Sequence, residues 1–180
     1  MLGREAVREI RAMKARSEGE THRRGLDDRE LKRGRGGIRD IEFAVQLLQL
    51  VHGRHDPSIR SGTTLDALAQ LVAAGYVAPR EAAPFHAAYL FLRVVEHRLQ
   101  LWDEQQTHTL PSDLPSRTRL ARVLGYRDRG DRSAADQLDA EHRGHQSRAR
   151  AIHERLFFGP LLEALAGEPG HLSDVAMRER

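Results

Sequence analysis

The sequence predicts an all-α protein, an antiparallel helical bundle, and three observations lead to this prediction. Apolar residues recur three or four positions apart in several separate stretches, as expected for helices with one buried face. No stretch shows the strict alternation of apolar and polar residues that is typical of a half-buried strand. The 180 residues, of which 39% are hydrophobic, are sufficient for one domain with a sizeable core.

The chain begins with a predicted amphipathic helix from Leu2 to about Arg16, after which the sequence becomes polar. Its apolar positions follow helical spacing: Ala6, Val7, Ile10 and Met13. We expect residues 1–25 to be a linking helix, residues 26–166 to be the helical bundle and residues 167–180 to be a frayed tail.

The segment Ile38–His52 predicts a helix that is apolar on almost every side. One apolar stripe consists of Ile38, Ile41, Val45 and Leu48, and a second consists of Phe43, Leu47 and Leu50. Only a narrow polar line separates them: Glu42, Gln46 and Gln49. We therefore expect this helix to be the central, mostly buried element.

Turn signals then separate the next elements. Residues Gly53–Gly62 predict a loop with an exposed tip at Pro57. Thr63 or Thr64 is expected to cap a short helix that ends at Gly75. Its apolar residues follow helical spacing: Leu65, Leu68, Leu71 and Val72.

The second half predicts three more helices. Pro79 suits the first position of a long helix that reaches about Trp102. Ser116–Leu124 predicts a short helix closed by Gly125. Beyond a charged, glycine-containing connection ("RDRGDRS"), a further long helix is expected, interrupted by Gly144 and followed by "PLLEALAG" as a final turn or short helix.

Composition limits the classes of function. The 29 Lys and Arg residues nearly balance the 26 Asp and Glu residues, and a net charge of +3 gives little support to a nucleic-acid role. Without cysteine, the chain can form neither a disulfide framework nor a thiolate metal site. No apolar run approaches the roughly 20 residues that a membrane helix needs. We expect a cytoplasmic protein that binds neither nucleic acid nor membrane.

The loop "ELKRGRGG" sets cationic side chains around glycines directly before the central helix. Gly36 and Gly37 leave backbone N–H groups accessible at a helix N-terminus, where a phosphate or carboxylate can bind. Lys32, Arg35 and Arg39 would add charged donors to such a site. The loop is neither a Walker A motif nor a dinucleotide fingerprint, so a tight turn between domains is the favoured interpretation and anion binding the alternative.

Other polar residues are assigned structural roles. The pairs His52/His55 and His142/His145 lack further ligands, so no metal site is assigned. Glu96 falls on an apolar helix face, where an unpaired carboxylate would be costly, and Glu42 lies on the polar line of the central helix. We expect an ion pair of one of these glutamates with an arginine: Arg39, Arg93 or Arg98. Ser112 and Asp113 predict a capped turn and no hydrolytic triad.

Three stretches carry a family resemblance: "LKRGRGGIRDIEFAVQLLQLVHGR", "AAYLFLRVVEHRLQ" and "DEQQTHTLPSD". From about Val7 to about Leu165 the chain resembles the bifunctional glutamine synthetase adenylyltransferase/adenylyl-removing enzymes. The resemblance implies the helical domain that follows the N-terminal, deadenylylating nucleotidyltransferase domain. For the whole enzyme it implies Mg²⁺, ATP, and the addition and removal of AMP on glutamine synthetase under control of PII signal proteins.

The nucleotidyltransferase domain of that family should precede the helix at residues 7–16, and its metal-binding carboxylates are absent from this sequence. We therefore expect this chain alone to bind no cofactor and to be inactive, with Lys32, Arg35 and Arg39 placed where the helical domain meets the missing catalytic domain. Two classes of function remain. The chain is either a helical accessory domain of the enzyme, or a free-standing interaction module that binds glutamine synthetase or a PII protein.

Overall fold

The computed structural model describes residues 29–103 and 107–166, together with residues 16, 19, 23, 25 and 26; side chains are described for residues 29–101 and 107–156. The predictions of a linking helix before residue 16 and of a frayed tail after residue 166 concern residues outside this description. Residues 16, 19 and 23 are helical.

The described residues form five α-helices and one short 3-10 helix. The α-helices are α1 (Ile38–His52), α2 (Thr64–Ala73), α3 (Pro79–Asp103), α4 (Leu114–Val123) and α5 (Ala134–Ala166), and the 3-10 helix is Pro57–Ile59. Two isolated bridges, Glu30 with Thr109 and Arg129 with Arg132, are the β-type pairings within the described part. The predicted all-α bundle is confirmed. None of the described helices is both long and apolar enough to cross a lipid bilayer.

Local capping explains where the helices begin. The Thr63 hydroxyl accepts a hydrogen bond from the Asp66 N–H at 3.3 Å, so Thr63 caps α2 as predicted. Asp113 caps α4 through the Ser116 N–H at 2.8 Å, and this hydrogen bond holds the pKa of the Asp113 carboxyl below its usual range. Helix α4 consequently begins at Leu114, two residues earlier than the predicted Ser116.

The prediction that Gly144 interrupts the last helix is wrong. Helix α5 continues from Ala134 through Gly144 to Ala166, and it includes most of the segment expected to form a separate turn. A glycine costs a helix only about 1 kcal/mol relative to alanine. Packing of α5 against its neighbours outweighs that cost, because buried residues such as Leu138 and Ile152 flank the glycine on both sides.

Helix α5 lies against α1, α3 and α4, and α2 packs between α1 and α3. The shared core contains one aromatic ring among aliphatic side chains: Leu31, Ile38, Ile41, Leu48, Phe85, Leu92, Leu120, Leu138 and Ile152. Helix α1 is the largely buried element that the sequence predicted, but Leu50 is 65% exposed. It lies roughly 40° around the helix from the exposed Gln46, on the outward side, so the second apolar stripe is not buried along its whole length.

Candidate functional site

Carbonyl groups of the loop before α1 accept hydrogen bonds from the first N–H groups of that helix. The N–H of Ile38 donates to the carbonyl of Leu31 at 2.9 Å, and the N–H of Arg39 donates to the carbonyl of Lys32 at 3.0 Å. The N–H of Gly37, the N-cap residue, donates to the carbonyl of Gly34 at 2.9 Å. Backbone donors that a helix usually presents at its N-terminus are therefore already used.

A carboxylate of the protein itself completes this arrangement. Asp40, in the first turn of α1, is 8% exposed, and its Oδ2 accepts a hydrogen bond from the Gly36 N–H at 2.8 Å. An acidic side chain in the first turn also interacts favourably with the helix dipole. The N–H groups of Gly36 and Gly37 thus both have acceptors within the protein, and anion binding by the loop stays a prediction.

The glycines serve the path of the chain. Gly36 has a φ of +72°, and a Cβ there would lie 2.0 Å from the carbonyl oxygen of Gln146 on α5. A Cβ on Gly37 would lie 2.8 Å from the carbonyl oxygens of Leu31 and Gly34. Contacts this short do not occur at real Cβ atoms, so both positions require glycine for close packing of the backbone.

Glu30, which sequence reasoning missed, anchors the loop to two distant parts of the chain. Its Oε1 accepts hydrogen bonds from the N–H groups of Lys32 (3.1 Å) and Arg33 (3.2 Å). Its Oε2 accepts from the Thr109 hydroxyl at 3.2 Å, and its backbone carbonyl accepts from Nε2 of Gln146 at 3.1 Å. The two local bonds have the spacing of a side chain that caps a turn, which is a signal visible in the sequence. The two distant partners leave no such signal.

A pair of backbone hydrogen bonds reinforces this attachment. The Leu31 N–H donates to the carbonyl of His108, and the Leu110 N–H donates to the carbonyl of Arg29, both at 2.8 Å. The segment 107–113 before α4 therefore lies alongside the loop, and the loop is attached to this segment and, through Gln146, to α5.

The three predicted cations of the loop occupy different surroundings. The Lys32 side chain is half-buried and lines a cavity, whereas Arg35 is exposed. Arg39 is half-buried, and its guanidinium lies 5.2 Å from the centroid of the Phe43 ring, in a cation–π contact. Arg35 is therefore accessible at the surface, Lys32 is accessible through the cavity, and Arg39 packs against its own helix.

The cavity beside Lys32 has a volume of about 480 Å³ and opens between the loop, α3 and the segment before α4. Its polar lining consists of Lys32, Arg93, Glu96, His97, Gln100 and His108. Leu90 and Val94 add apolar surface. The sequence did not predict that these residues lie together, since they come from three separate segments of the chain.

Glu96 lies at the buried end of this cavity, with its side chain 4% exposed. Its Oε2 accepts a hydrogen bond from Nη1 of Arg93 at 2.7 Å. Its Oε1 lies 2.7 Å from Nδ1 of His108, and the two groups form an ion pair when the imidazole is protonated. Of the arginines considered for pairing, Arg93 is the one in contact with Glu96. The other candidate, Glu42, accepts a hydrogen bond from the Tyr89 hydroxyl at 3.2 Å.

The residues around the loop do not fit a Mg²⁺ site. Within residues 29–101 and 107–156, no group of three or more histidine, aspartate or glutamate side chains is arranged to hold a metal ion. The carboxylates nearest the loop, Glu30 and Asp40, accept hydrogen bonds from the backbone. Among the histidines considered for metal binding, His52 stacks on Tyr76 and His145 on Phe91.

Comparison with known proteins shows strong similarity over most of the chain. Residues 9–157 match the family model described as GlnD PII-uridylyltransferase. The bifunctional glutamine synthetase adenylyltransferase/adenylyl-removing enzymes of Streptomyces avermitilis and Streptomyces coelicolor are each 51% identical over 156 residues, which is 85% of this chain and 15% of theirs. The enzyme of the same name from Mycobacterium leprae is 45% identical over 161 residues, 88% of this chain and 16% of that protein.

The resemblance predicted from the three sequence stretches is therefore confirmed, and the chain spans about 15% of the length of these relatives. With a family model that covers most of its length, the chain belongs to the family described as GlnD PII-uridylyltransferase, and it is homologous to part of the bifunctional glutamine synthetase adenylyltransferase/adenylyl-removing enzymes.

Proposed function

We propose that residues 26–166 form a helical accessory domain of an enzyme that adds AMP to glutamine synthetase and removes it. In this proposal Mg²⁺ and ATP are bound by a nucleotidyltransferase domain outside this sequence. The names of the relatives support the reaction and the substrate, and the share of their length that the chain spans leaves room for a separate catalytic domain. A cysteine-free chain is compatible with the reducing cytoplasm, where we place the enzyme.

One observation supports this role most directly. The loop uses its backbone donors internally, for Asp40 and for its own carbonyls, while the side chain of Arg35 is exposed and that of Lys32 is half-buried at a cavity wall. Glu30 fixes the loop against the neighbouring segments. The domain thus presents cationic side chains from a rigid support, a suitable surface for the catalytic domain or for a phosphate held there.

Substitution of these two cations in a full-length member of the family tests the proposal. Lys32→Ala together with Arg35→Ala, at the aligned positions, should lower the rates of AMP addition or removal by about tenfold or more, because charge-assisted contacts are lost. The matched control, Arg129→Ala with Arg132→Ala, removes two charges from an exposed turn away from the loop. Both variants should retain wild-type helicity by circular dichroism. Wild-type rates in the Lys32/Arg35 variant would contradict the proposal.

The outer surface of α4 favours a second candidate function, a protein-interaction module that binds glutamine synthetase. Leu114 and Val123 are more than 60% exposed, and Arg119 and Arg122 lie between them along a shallow groove. Exposed apolar side chains rimmed by charge are typical of protein interfaces.

Binding measurements with the purified chain test this second candidate. Leu114→Asp should weaken binding to purified glutamine synthetase, whereas Leu50→Asp, at an equally exposed leucine on α1, should leave it unchanged. A PII protein is the comparison partner in the same assay. Equal binding by both variants, or no binding of glutamine synthetase by the wild-type chain, would exclude the α4 surface.

A further inference from the structure

We propose that the exposed face of α3 is a docking surface for an amphipathic helix of a partner protein, one whose apolar stripe is flanked by acidic side chains. The face of α3 carries an apolar stripe between two cationic edges, and these two features identify the partner by its chemistry. The inference goes beyond the proposed function, which rests on the loop before α1 and assigns nothing to α3.

Apolar residues recur along the exposed side of α3: Ala83, Ala87, Leu90, Val94 and Leu101. Steps of three, four and seven residues keep them on one side of the helix, over a length of roughly 27 Å. Leu90, Val94 and Leu101 are 43–61% exposed, and they make up half of the large apolar side chains that are exposed among the described residues. Scattered leucines need no explanation, but a stripe along one helix face is typical of a protein interface.

Both edges of this stripe carry positive charge. Arg80 and Arg98 are exposed along one edge and have no ion-pair partner among the described residues. On the other edge, Arg93 pairs with the buried Glu96. The ammonium group of Lys32, at the wall of the neighbouring cavity, adds a charge there that no described carboxylate pairs with.

Acidic side chains of α3 do not offset these charges. Glu81 lies on the opposite side of the helix and pairs with Arg155 of α5 at 3.0 Å. Glu96 is buried. Residues 79–101 of α3 therefore expose no carboxylate beside the stripe. Because opposite charges across an interface guide association and select the partner, the complementary surface is acidic.

Charge also decides between the possible occupants of the stripe. A second copy of this chain would bring the same cationic edges into contact, and like charges that face each other are unfavourable. The N-terminal segment 2–16 has apolar residues at helical spacing, but it contains five arginine and lysine residues against two glutamates. An amphipathic helix that lays its apolar side on the stripe and directs carboxylates to Arg80, Arg98 and Lys32 agrees with both features.

Fluorescence anisotropy with the purified 180-residue chain tests the inference. The probe is a labelled helical peptide of about 18 residues, with leucines on one face and glutamates on both flanks. Two control peptides keep the leucines and replace the glutamates by glutamine or by lysine. The glutamate peptide should bind saturably in the micromolar range, the glutamine peptide at least about tenfold more weakly, and the lysine peptide not at all. Added salt should weaken binding of the glutamate peptide.

Variants of exposed residues locate the bound peptide. Val94→Glu places a carboxylate within the stripe and should weaken binding by about tenfold or more, whereas Leu50→Glu makes the same change of charge on α1 and should have no effect. Arg98→Glu reverses a charge at one edge and should weaken binding of the glutamate peptide by about tenfold. Its matched control is Arg129→Glu, in an exposed turn. All four positions are exposed, so the variants should retain wild-type melting curves.

Several results would overturn the inference: no saturable binding of the glutamate peptide, equally tight binding of the lysine peptide, or equal losses in Val94→Glu and Leu50→Glu. A wild-type chain that sediments as a dimer, with Val94→Glu as a monomer, would show that a second copy covers the stripe. Peptide binding that appears only after removal of residues 2–16 would show that the N-terminal segment covers it.

A full-length relative that carries the α3 residues of this chain should also bind the glutamate peptide. Binding to the 180-residue chain alone would show that another part of the enzyme covers the stripe, and would exclude a separate partner protein. The proposed function stands or falls separately, because its test measures the rates of AMP addition and removal in the Lys32/Arg35 variant.

Discussion

Asp40 occupies the place at the start of α1 where a bound anion would otherwise interact with the helix. Its carboxylate accepts the N–H of Gly36 and is almost fully buried. A loop rich in glycine and arginine before a helix can therefore either bind an external anion or be closed by a carboxylate of the protein itself. The difference lies in a single residue of the first turn, which is Asp40 here. Asp40 is visible in the sequence, but its inward orientation depends on the positive φ of Gly36 and on the packing of the loop against α5.

The first prediction concerns the close approach of Gly36 to α5. Gly36→Ala should destabilise the protein by about 2–4 kcal/mol, because a Cβ there is strained at positive φ and also overlaps the carbonyl of Gln146. Gly130→Ala is the control, since Gly130 also has positive φ but has nothing within 4 Å of the added Cβ. It should cost only about 1 kcal/mol. Urea denaturation of both variants measures the difference, and equal losses would show that the contact with α5 is unimportant.

The second prediction concerns the pH dependence of stability through His145. Burial, with a smaller contribution from Arg148, lowers the pKa of the imidazole, while Glu141 partly opposes this effect. The ring is 12% exposed and stacks on Phe91 at 4.6 Å. In the unfolded chain the pKa of this imidazole is about 6.5. Between the two pKa values the unfolded state binds more protons than the folded state, so the folded state becomes more stable as the pH rises towards about 6.5. Stability should fall as the pH decreases below about 6.5 towards the lower pKa of the folded state.

Comparison with His145→Gln isolates this contribution from the other histidines. Urea unfolding between neutral pH and moderately acidic pH should show a shallower loss of stability in the variant than in the wild type. Identical slopes would mean that His145 is protonated equally easily in the folded and unfolded chains.

At the scale of single elements, short-range signals set most helix boundaries. Thr63 and Asp113 cap their helices, and Gly75 and Gly125 adopt positive φ just after the helices end. The error at Gly144 has a different origin, because a glycine within a helix is only a weak signal. Its effect is decided by the packing of the residues on either side, which local sequence does not reveal.

The continuity of α5 leads to a prediction about Gly144. Gly144→Ala should stabilise the protein by about 0.5–1 kcal/mol, because alanine loses less backbone entropy in a helix. The added Cβ would lie 3.3 Å from the end of the Arg148 side chain, which is flexible and can move. Thermal melting checks this, with Ser147→Gly at an exposed position of the same helix as the reverse change, which should lower stability. A destabilised Gly144→Ala variant would show that Arg148 is held in place.

At the scale of the whole molecule, α1 packs on α2, α3 and α5, so a defect in its buried face should affect every one of these helices. Ile41 is completely buried on that face. Ile41→Asp should destabilise the protein by about 4 kcal/mol or more, because it buries an unpaired charge. Gln46→Asp, on the exposed side of the same helix, should change stability by no more than about 0.5 kcal/mol. Circular dichroism of both variants provides the measurement, and a wild-type melting curve for Ile41→Asp would refute the burial of α1.

A last prediction concerns the activity of this chain by itself. Transfer of AMP depends on Mg²⁺ held by carboxylates in line with the phosphate, and no described group of side chains offers such a site. The purified chain with Mg²⁺, phosphate and adenylylated glutamine synthetase should therefore release no AMP, and with ATP and the unmodified enzyme it should transfer none. Turnover that survives repurification would place an active site within this chain.

The sequence by itself determined the all-α class, the span of α1 and the family, because helical periodicity, caps and motifs are recorded in neighbouring residues. Only the tertiary structure decided how the loop is used. Glu30 forms hydrogen bonds with Thr109 and Gln146, which are 79 and 116 residues away, and Lys32, Glu96 and His108 line one cavity. Such contacts depend on how whole helices pack. No local sequence pattern encodes which distant polar group will form a hydrogen bond with a given residue.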